Sequence, residues 1–376
     1  MAEQGRIVGG RLVLEDRVAP GRVSVADGRI VAVEPDEAEA AGPFVAPGFV
    51  DIHVHGWGGH DAMGSVADLD GMARALLRHG VTSFLPTAVT ASLDTLVAFA
   101  ETVRAWMPGA PADGAAPLGF NLEGPFLAVE KKGAQNPAFI RAADTVAAAD
   151  LEPLLDGLRI TTIAPEQPGA LALITWLAGR GVAVSLGHSV ATVAQARAGY
   201  AAGARSTTHL FNAMIGLDHR SPGLAAAALT NDEVYVELVA DGFHVHEALW
   251  PIVVRSKPGM LILVSDAAAP AGTEPGPATL GGLAVDNRGD RITLAGTETL
   301  AGSAIALDTA VRNLARSGVP LPVAVAAASR YPLALLGVTD RGRLEPGQRA
   351  DLALLDDDLR VTQVMRAGGD WIAGAG

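Results

Sequence analysis

Pro47-Gly48-Phe49-Val50-Asp51-Ile52-His53-Val54-His55-Gly56 is an apolar run opened by a Pro-Gly turn and finished by two histidines. Apolar and β-branched residues bounded by turn formers predict a strand. Two residues apart on a strand, His53 and His55 leave the same face and can converge on one cation. Seven further apolar runs follow, at Val81–Thr87, Leu118–Glu123, Arg159–Ala164, Val182–His188, Arg205–Leu210, Val234–Ala240 and Met260–Asp266, separated by Ala/Leu-rich helical stretches. This alternation is the pattern of parallel βα units, and eight of them close a (β/α)8 TIM barrel of the α/β class. An open doubly wound sheet uses the same alternation, but no glycine-rich dinucleotide fingerprint follows the first run.

Outside this series the texture changes. From Ile7 to Val45 the chain reads as short β segments with Gly/Asp turns, and Arg22–Val33 alternates as a hairpin would. After Gly337 the same texture returns, turn-rich over Gly342–Gln348 and strand-like over Ala350–Leu355. The expectation is a small β-sandwich domain built from residues 1–47 and 337–376, beside a barrel over 48–336. Glu274-Pro275-Gly276-Pro277 reads as shaping a loop after the eighth run, able to act as a lid.

Composition narrows the function. The 376 residues are 49% hydrophobic and 18% charged, with 44 Gly and 23 Pro, as in a soluble globular protein with many tight turns. A net charge of -13, with lysine only at 131, 132 and 257, offers no basic field to a nucleic acid. Local groups must therefore hold any anionic substrate. Without cysteine there are no disulfides and no thiolate ligands, which leaves histidine and carboxylate for any metal. The start MAEQGRIVGG lacks an apolar signal core, and the apolar stretch Gly318–Val338 is broken by three prolines and Arg330. A cytoplasmic protein without membrane partners is expected.

The placement of ionisable residues carries the chemistry. His53 and His55 end the first run, Glu123 the third, His188 the fifth and Asp266 the eighth, while His209 lies near the end of the sixth. Those are the strand ends at which barrel enzymes build their sites. One His-x-His pair is compatible with a surface position; six ligand-type residues on five strand ends point to a metal centre. His60, His79 and His246 read as structural, and His219 as exposed.

The Pro47–Gly56 segment resembles the first-strand signature of the amidohydrolase superfamily. Many of its members bridge two metals with a carboxylated lysine on the fourth strand, and no lysine lies in or near 159–167. Glu123 on the third strand would replace it, a feature of the N-acetylglucosamine-6-phosphate deacetylases. Asn121–Phe126, Lys131–Pro137, Gly187–Ser189, Thr208–Met214, Ser221–Leu224, Ala240–His244, Val264–Ala267 and Leu300–Ser303 resemble segments of that family in the same order.

The resemblance implies Glu123, His188 and His209 as ligands of the main metal, with His53, His55 and Asp266 completing a centre of one or two divalent ions per subunit. Zinc is the first expectation, and iron, manganese or cobalt suit the same ligands. It also implies Asp266 as catalytic base and acid, and places Ala134, Gln135, Asn212, Ala213, Arg220, His244, Leu300, Ala301 and Gly302 around a phosphorylated amino sugar. Arg220 is the leading phosphate ligand, since guanidinium matches phosphate oxygens bidentately. Some family members carry histidine where Gln135 stands, and some lack the His-x-His pair. A homodimer is expected. Hydrolysis of a cyclic amide or nucleobase, and a scaffold without activity, are the competing readings; the missing lysine speaks against the first and the complete ligand set against the second.

Overall fold

The computed structural model describes residues 5–376. Strands β1 (Arg6–Val13), β2 (Val18–Ala26) and β3 (Arg29–Pro35) form an antiparallel meander, and β4 (Phe44–Pro47) joins β1 in parallel. Gly48 then passes the chain into a second sheet. Its N–H donates to the Asp351 carbonyl at 2.8 Å, and a Cβ there would run into the Thr82 side chain, so only glycine fits.

The second sheet is parallel and follows chain order: β5 (Phe49–Val54), β6 (Val81–Ala88), β7 (Phe120–Glu123), β8 (Leu158–Ile163), β9 (Ala183–Leu186), β10 (Ser206–Thr207), β11 (Tyr235–Leu238) and β12 (Leu261–Leu263). Helices α1 (Val66–Arg78), α2 (Leu93–Trp106), α3 (Ala148–Leu155), α4 (Ala170–Ala178), α5 (Val193–Ala201), α6 (Leu224–Leu229) and α7 (Trp250–Ser256) separate the strands. The first helix shows why. Ser65 and Asp68 form a reciprocal capping box, and Leu69, Met72, Ala73, Leu76 and Leu77 then recur at helical spacing on the buried face.

The ends of the sheet meet through main-chain bonds. Asp266 N–H donates to the His53 carbonyl at 2.9 Å and His55 N–H to the Ala267 carbonyl at 2.8 Å. Asn121 Nδ2 reaches across the interior to the Ile52 carbonyl at 3.0 Å. The eight runs read from sequence are the eight staves, but several are shorter than their apolar patterns. His188, His209 and Asp266 adopt φ of 47°, 27° and 51°, left-handed values that end each ladder before the polar residue is reached.

After β12 the chain makes a three-stranded antiparallel sheet, β13 (Gly276–Leu280), β14 (Leu283–Asn287) and β15 (Ile292–Leu294), so residues read as loop from Gly276 onward are strand. Helix α8 (Leu307–Arg316) completes the βα series. The C-terminal strands β16 (Leu352–Leu355), β17 (Val361–Met365) and β18 (Ile372–Ala373) return to the first sheet, giving the order β18-β17-β16-β4-β1-β2-β3.

The sandwich expected from the terminal segments is thus one continuous seven-stranded sheet that curls on itself. Ile30 N–H donates to Gln348 and Ala350 N–H to Gly28, which ties the β2–β3 hairpin to the entry of β16. Val8, Leu12, Val23, Val25, Ile30, Val45, Leu352 and Met365 fill its core. Among the described residues, no helix is long and apolar enough to cross a membrane.

Lys257, at the end of α7, is 1% exposed and donates to the Ala228 carbonyl and to that of Asn231, where α6 ends. Burial pulls its pKa down to about 8, against the pull of Asp232. Phe49 joins the two sheets: it is fully buried, and its ring and Val361 of β17 both close over Gly80. Phe49→Ala is expected to cost about 3–5 kcal/mol, the usual range for emptying a buried aromatic site, read as a lower midpoint in urea unfolding.

Candidate metal centre

The polar strand ends converge on one buried cluster. Glu123 Oε1 lies 2.8 Å from Nε2 of both His188 and His209, and these two nitrogens are 3.0 Å apart. Glu123 Oε2 lies 3.2 Å from His55 Nε2, which is 3.3 Å from His53 Nε2 and 3.3 Å from Asp266 Oδ1. Two triads result, His53/His55/Glu123 and Glu123/His188/His209, each with its donor atoms within 4.8 Å of one another and sharing the carboxylate. All six residues are buried.

The outward nitrogens are already engaged. His53 Nδ1 is 3.0 Å from Glu237 Oε2, His55 Nδ1 is 3.0 Å from the Thr87 carbonyl, and His188 Nδ1 is 2.7 Å from the Lys131 carbonyl. An oxygen on Nδ1 fixes the proton there and turns the Nε2 lone pair inward, the arrangement of histidines that bind metals. His209 Nδ1 has no partner, but its main-chain N–H donates to Glu237 Oε2 at 3.2 Å. Imidazole nitrogens 3.0–3.3 Å apart around one carboxylate suit a shared divalent cation, and the donor set of nitrogen and oxygen fits such an ion.

Without a cation the charges redistribute. Burial resists charging His53, but Glu123 and Glu237 outweigh it and raise its pKa well above the ordinary value. His55 is likewise opposed by burial and raised to about 9 by hydrogen bonds to Asp266 and Glu123. Burial would raise the two carboxylates, yet the facing imidazoles win, taking Glu123 well below its usual range and Asp266 to about 2. Bare lone pairs and protonated rings are therefore the loaded and unloaded states of one centre.

A cavity of ≈ 330 Å³ opens above the cluster, lined by His55, Val89, Glu123, Gly133, Ala134, Gln135, His188, His209, Asn212, Ala213, His244, Asp266, Leu280, Glu298, Thr299, Leu300 and Gly302. Phe211 and Ala213 follow the sixth strand with φ of 77° and 49°. Such values are uncommon for side-chain-bearing residues and concentrate where backbone geometry is forced by function. Gly302 has φ 76°, and a Cβ on it would meet the Asp266 carbonyl at 2.9 Å. Ser303 N–H donates to that same carbonyl at 2.7 Å, so Leu300–Ser303 braces the eighth strand end.

His244 Nδ1 sits 2.6 Å from Asp241 Oδ2. Burial opposes its charge, but that hydrogen bond prevails and its pKa is raised. Gln135 accepts from Thr90 N–H through Oε1 at 2.7 Å and donates to Glu123 Oε2 through Nε2.

Two of the residues expected around the substrate do not line the cavity. Ala301 is fully buried behind its neighbours, its N–H donating to the Ile292 carbonyl at 3.0 Å. Arg220 stands exposed on the loop after the sixth strand, its main-chain N–H held by Asp218, and its guanidinium makes no hydrogen bond or ion pair among the described residues. His79 pairs with Asp308 at 3.2 Å and His60 faces Asp68 at 3.6 Å, away from the cluster. Glu237 lies outside the expected set, and its one trace in the sequence is an acid interrupting the apolar run Val234–Ala240. Glu298 and Thr299, at the cavity rim, lie outside that set as well.

Comparison with known proteins gives a family and close relatives. The amidohydrolase family model matches residues 44–370. A Danio rerio N-acetylglucosamine-6-phosphate deacetylase is 40% identical over 339 residues, covering 86% of this chain and 83% of its own. An Escherichia coli O157:H7 N-acetylgalactosamine-6-phosphate deacetylase is 39% identical, covering 94% and 93%. A Mycobacterium smegmatis N-acetyl-D-glucosamine-6-phosphate deacetylase mutant, solved with N-acetyl-D-glucosamine-6-phosphate, superposes with a TM-score of 0.91 at 35% identity, covering 99% and 100%.

Cation binding needs neutral imidazoles, so metal uptake by the metal-free protein at pH 7 is expected to release protons from His53 and His55. Affinity should rise with pH through about 9, where His55 loses its proton, and further as His53, also raised well above its ordinary value, loses its own. Calorimetric titration in two buffers of different ionisation heat reads this directly; equal heats in both contradict it.

Proposed function

The chain belongs to the amidohydrolase family, and from that premise we propose that it is a metal-dependent hydrolase removing the acetyl group of N-acetylglucosamine 6-phosphate, giving glucosamine 6-phosphate and acetate. One observation carries the reading: two histidine pairs share Glu123 beneath a cavity lined mostly by the segments that resemble the deacetylases. Glu123, His188 and His209 would hold the main divalent ion, with His53 and His55 facing a second. We take zinc as the first choice, with iron, manganese or cobalt suited to the same donors. When bound, such an ion acidifies a water and polarises the amide carbonyl.

The chain's own residues do the rest. In the metal-free chain the His55 hydrogen bond and the charges of His53 and His209 overcome the burial of Asp266 and keep it ionised, and a bound divalent ion would supply the same positive field. It can accept a proton at Oδ1 and return it to the departing nitrogen, which leaves poorly unless protonated. His244, oriented by Asp241, offers an N–H to the oxygen on which charge develops. Ala134, Asn212, Ala213, Leu300 and Gly302 enclose the sugar and limit water.

Arg220 cannot serve the cavity above its own centre in the position observed. It stands beside Leu217, which is 53% exposed on the same loop. We therefore infer a homodimer in which Arg220 reaches a phosphate held by the neighbouring copy. The galacto epimer is a second substrate to test, because a relative matching nearly the whole chain bears that name.

Acetate release from N-acetylglucosamine 6-phosphate is expected to vanish with a chelator and return with zinc or iron, and the ratio of rates on the two epimers identifies the preferred sugar. Asp266→Asn should lower kcat at least about 100-fold, the lower range for losing a general acid–base group. Arg220→Ala should raise KM for the phosphorylated sugar about tenfold or more, as expected for losing one charge-assisted contact. An unchanged KM removes Arg220 from the phosphate site.

A further inference from the structure

Gln135 is buried beside the carboxylate that the two histidine pairs share, and none of the steps above uses it. Its orientation is fixed by its partners. The main-chain N–H of Thr90 can only donate, so the amide oxygen must face Thr90 and the amide nitrogen must face Glu123. Thr90 Oγ1 also donates to the Glu123 carbonyl at 2.8 Å. Thr90 thus grips Glu123 twice, at its main chain directly and at its carboxylate through Gln135.

A carboxylate free to turn about its last bond can offer both oxygens to one side. Held by Gln135, it keeps Oε1 2.8 Å from the His188 and His209 nitrogens and Oε2 3.2 Å from His55 Nε2. We propose that Gln135 is a positioning residue that locks Glu123 as a bridge between two cation sites, and so decides whether the centre holds two ions or one. The inference rests on the metal-dependent reading above. The two sides depend on the lock unequally. His188 and His209 flank Oε1 closely, so their side keeps an oxygen if the carboxylate turns. On the other side only His55 faces Oε2, at 3.2 Å, while the His53 nitrogen stands 3.6 Å from Oε1, so a turned carboxylate leaves that pair without a close oxygen.

The test is titration of the full, metal-stripped protein with cobalt(II), reading bound equivalents after equilibrium dialysis and visible absorption for the coordination of each. The wild-type chain should bind two equivalents. Gln135→Leu should bind the first within about threefold of wild type and the second about 10–100-fold more weakly, the range for removing a partner that orients a ligand. Gln135→His, whose ring N–H can donate to the same oxygen, should restore the second ion. Gln135→Glu has the same shape but puts an acceptor against Glu123, so it should repeat the loss without a change of volume, even where the leucine variant does not fold.

Equal weakening of both ions, unchanged affinity for the second, or a histidine variant no better than leucine overturns the proposal, as does a wild-type chain that takes one equivalent. Acetate release is measured separately on metal-loaded wild type. Failure there removes the substrate while leaving the metal counts intact.

Discussion

Two main-chain hydrogen bonds close the barrel and aim its chemistry in the same act: Asp266 N–H to the His53 carbonyl and His55 N–H to the Ala267 carbonyl. The first strand must find the eighth across most of the chain, and closing so long a loop costs conformational entropy. The seam that offsets this cost runs through the very residues that face the cavity. Asp51 adds to it, with Oδ1 accepting from both His53 N–H and, at 3.4 Å, Ser265 N–H. Anything that parts the two strands therefore parts Asp266 from His55, so folding and chemistry are not independent at this edge.

The second constraint is electrostatic. Glu123, Glu237 and Asp266 are buried with four histidines, and an unpaired buried charge is costly. Each acid here faces an imidazole. Glu237 spans the two pairs through a single oxygen, holding His53 by its ring and His209 by its main chain. Without an ion the buried acids favour protonated His53 and His55, and the same contacts present bare nitrogens once those protons leave. That duality explains why the site is dense in acid and yet built on rigid strand ends.

The architecture was legible because hydrophobic alternation reports burial, and all eight staves are buried. Their ends were less so. Val182–His188 reads as one run, but the ladder stops at Leu186 because His188 turns left-handed, and hydrophobicity carries no record of φ. The two terminal segments do meet in one small β domain, as their shared texture suggested, but that it is a single curled sheet, with this strand order, leaves no local trace across three hundred residues. The polar cluster was visible residue by residue, since ligand types ended the runs. Glu237 was not, because an acid in mid-strand looks like an exception to a core pattern until the barrel interior is seen. Arg220 shows the opposite limit: a segment can resemble a family's without revealing which cavity its side chain serves.

The scarcity of lysine has a practical consequence for chemical handling of the protein. Lys257 is sealed beneath α6 and occupied by two carbonyls, so the accessible side-chain amines are those of Lys131 and Lys132. Both sit on the short segment whose main chain holds His188 and which leads into Gln135. Besides the α-amine, amine-reactive dyes, crosslinkers and coupling resins will therefore collect immediately before Gly133–Gln135, which line the cavity, so a fluorophore attached there would lie close enough to report on ligand entry, whereas immobilisation by the same chemistry would crowd it.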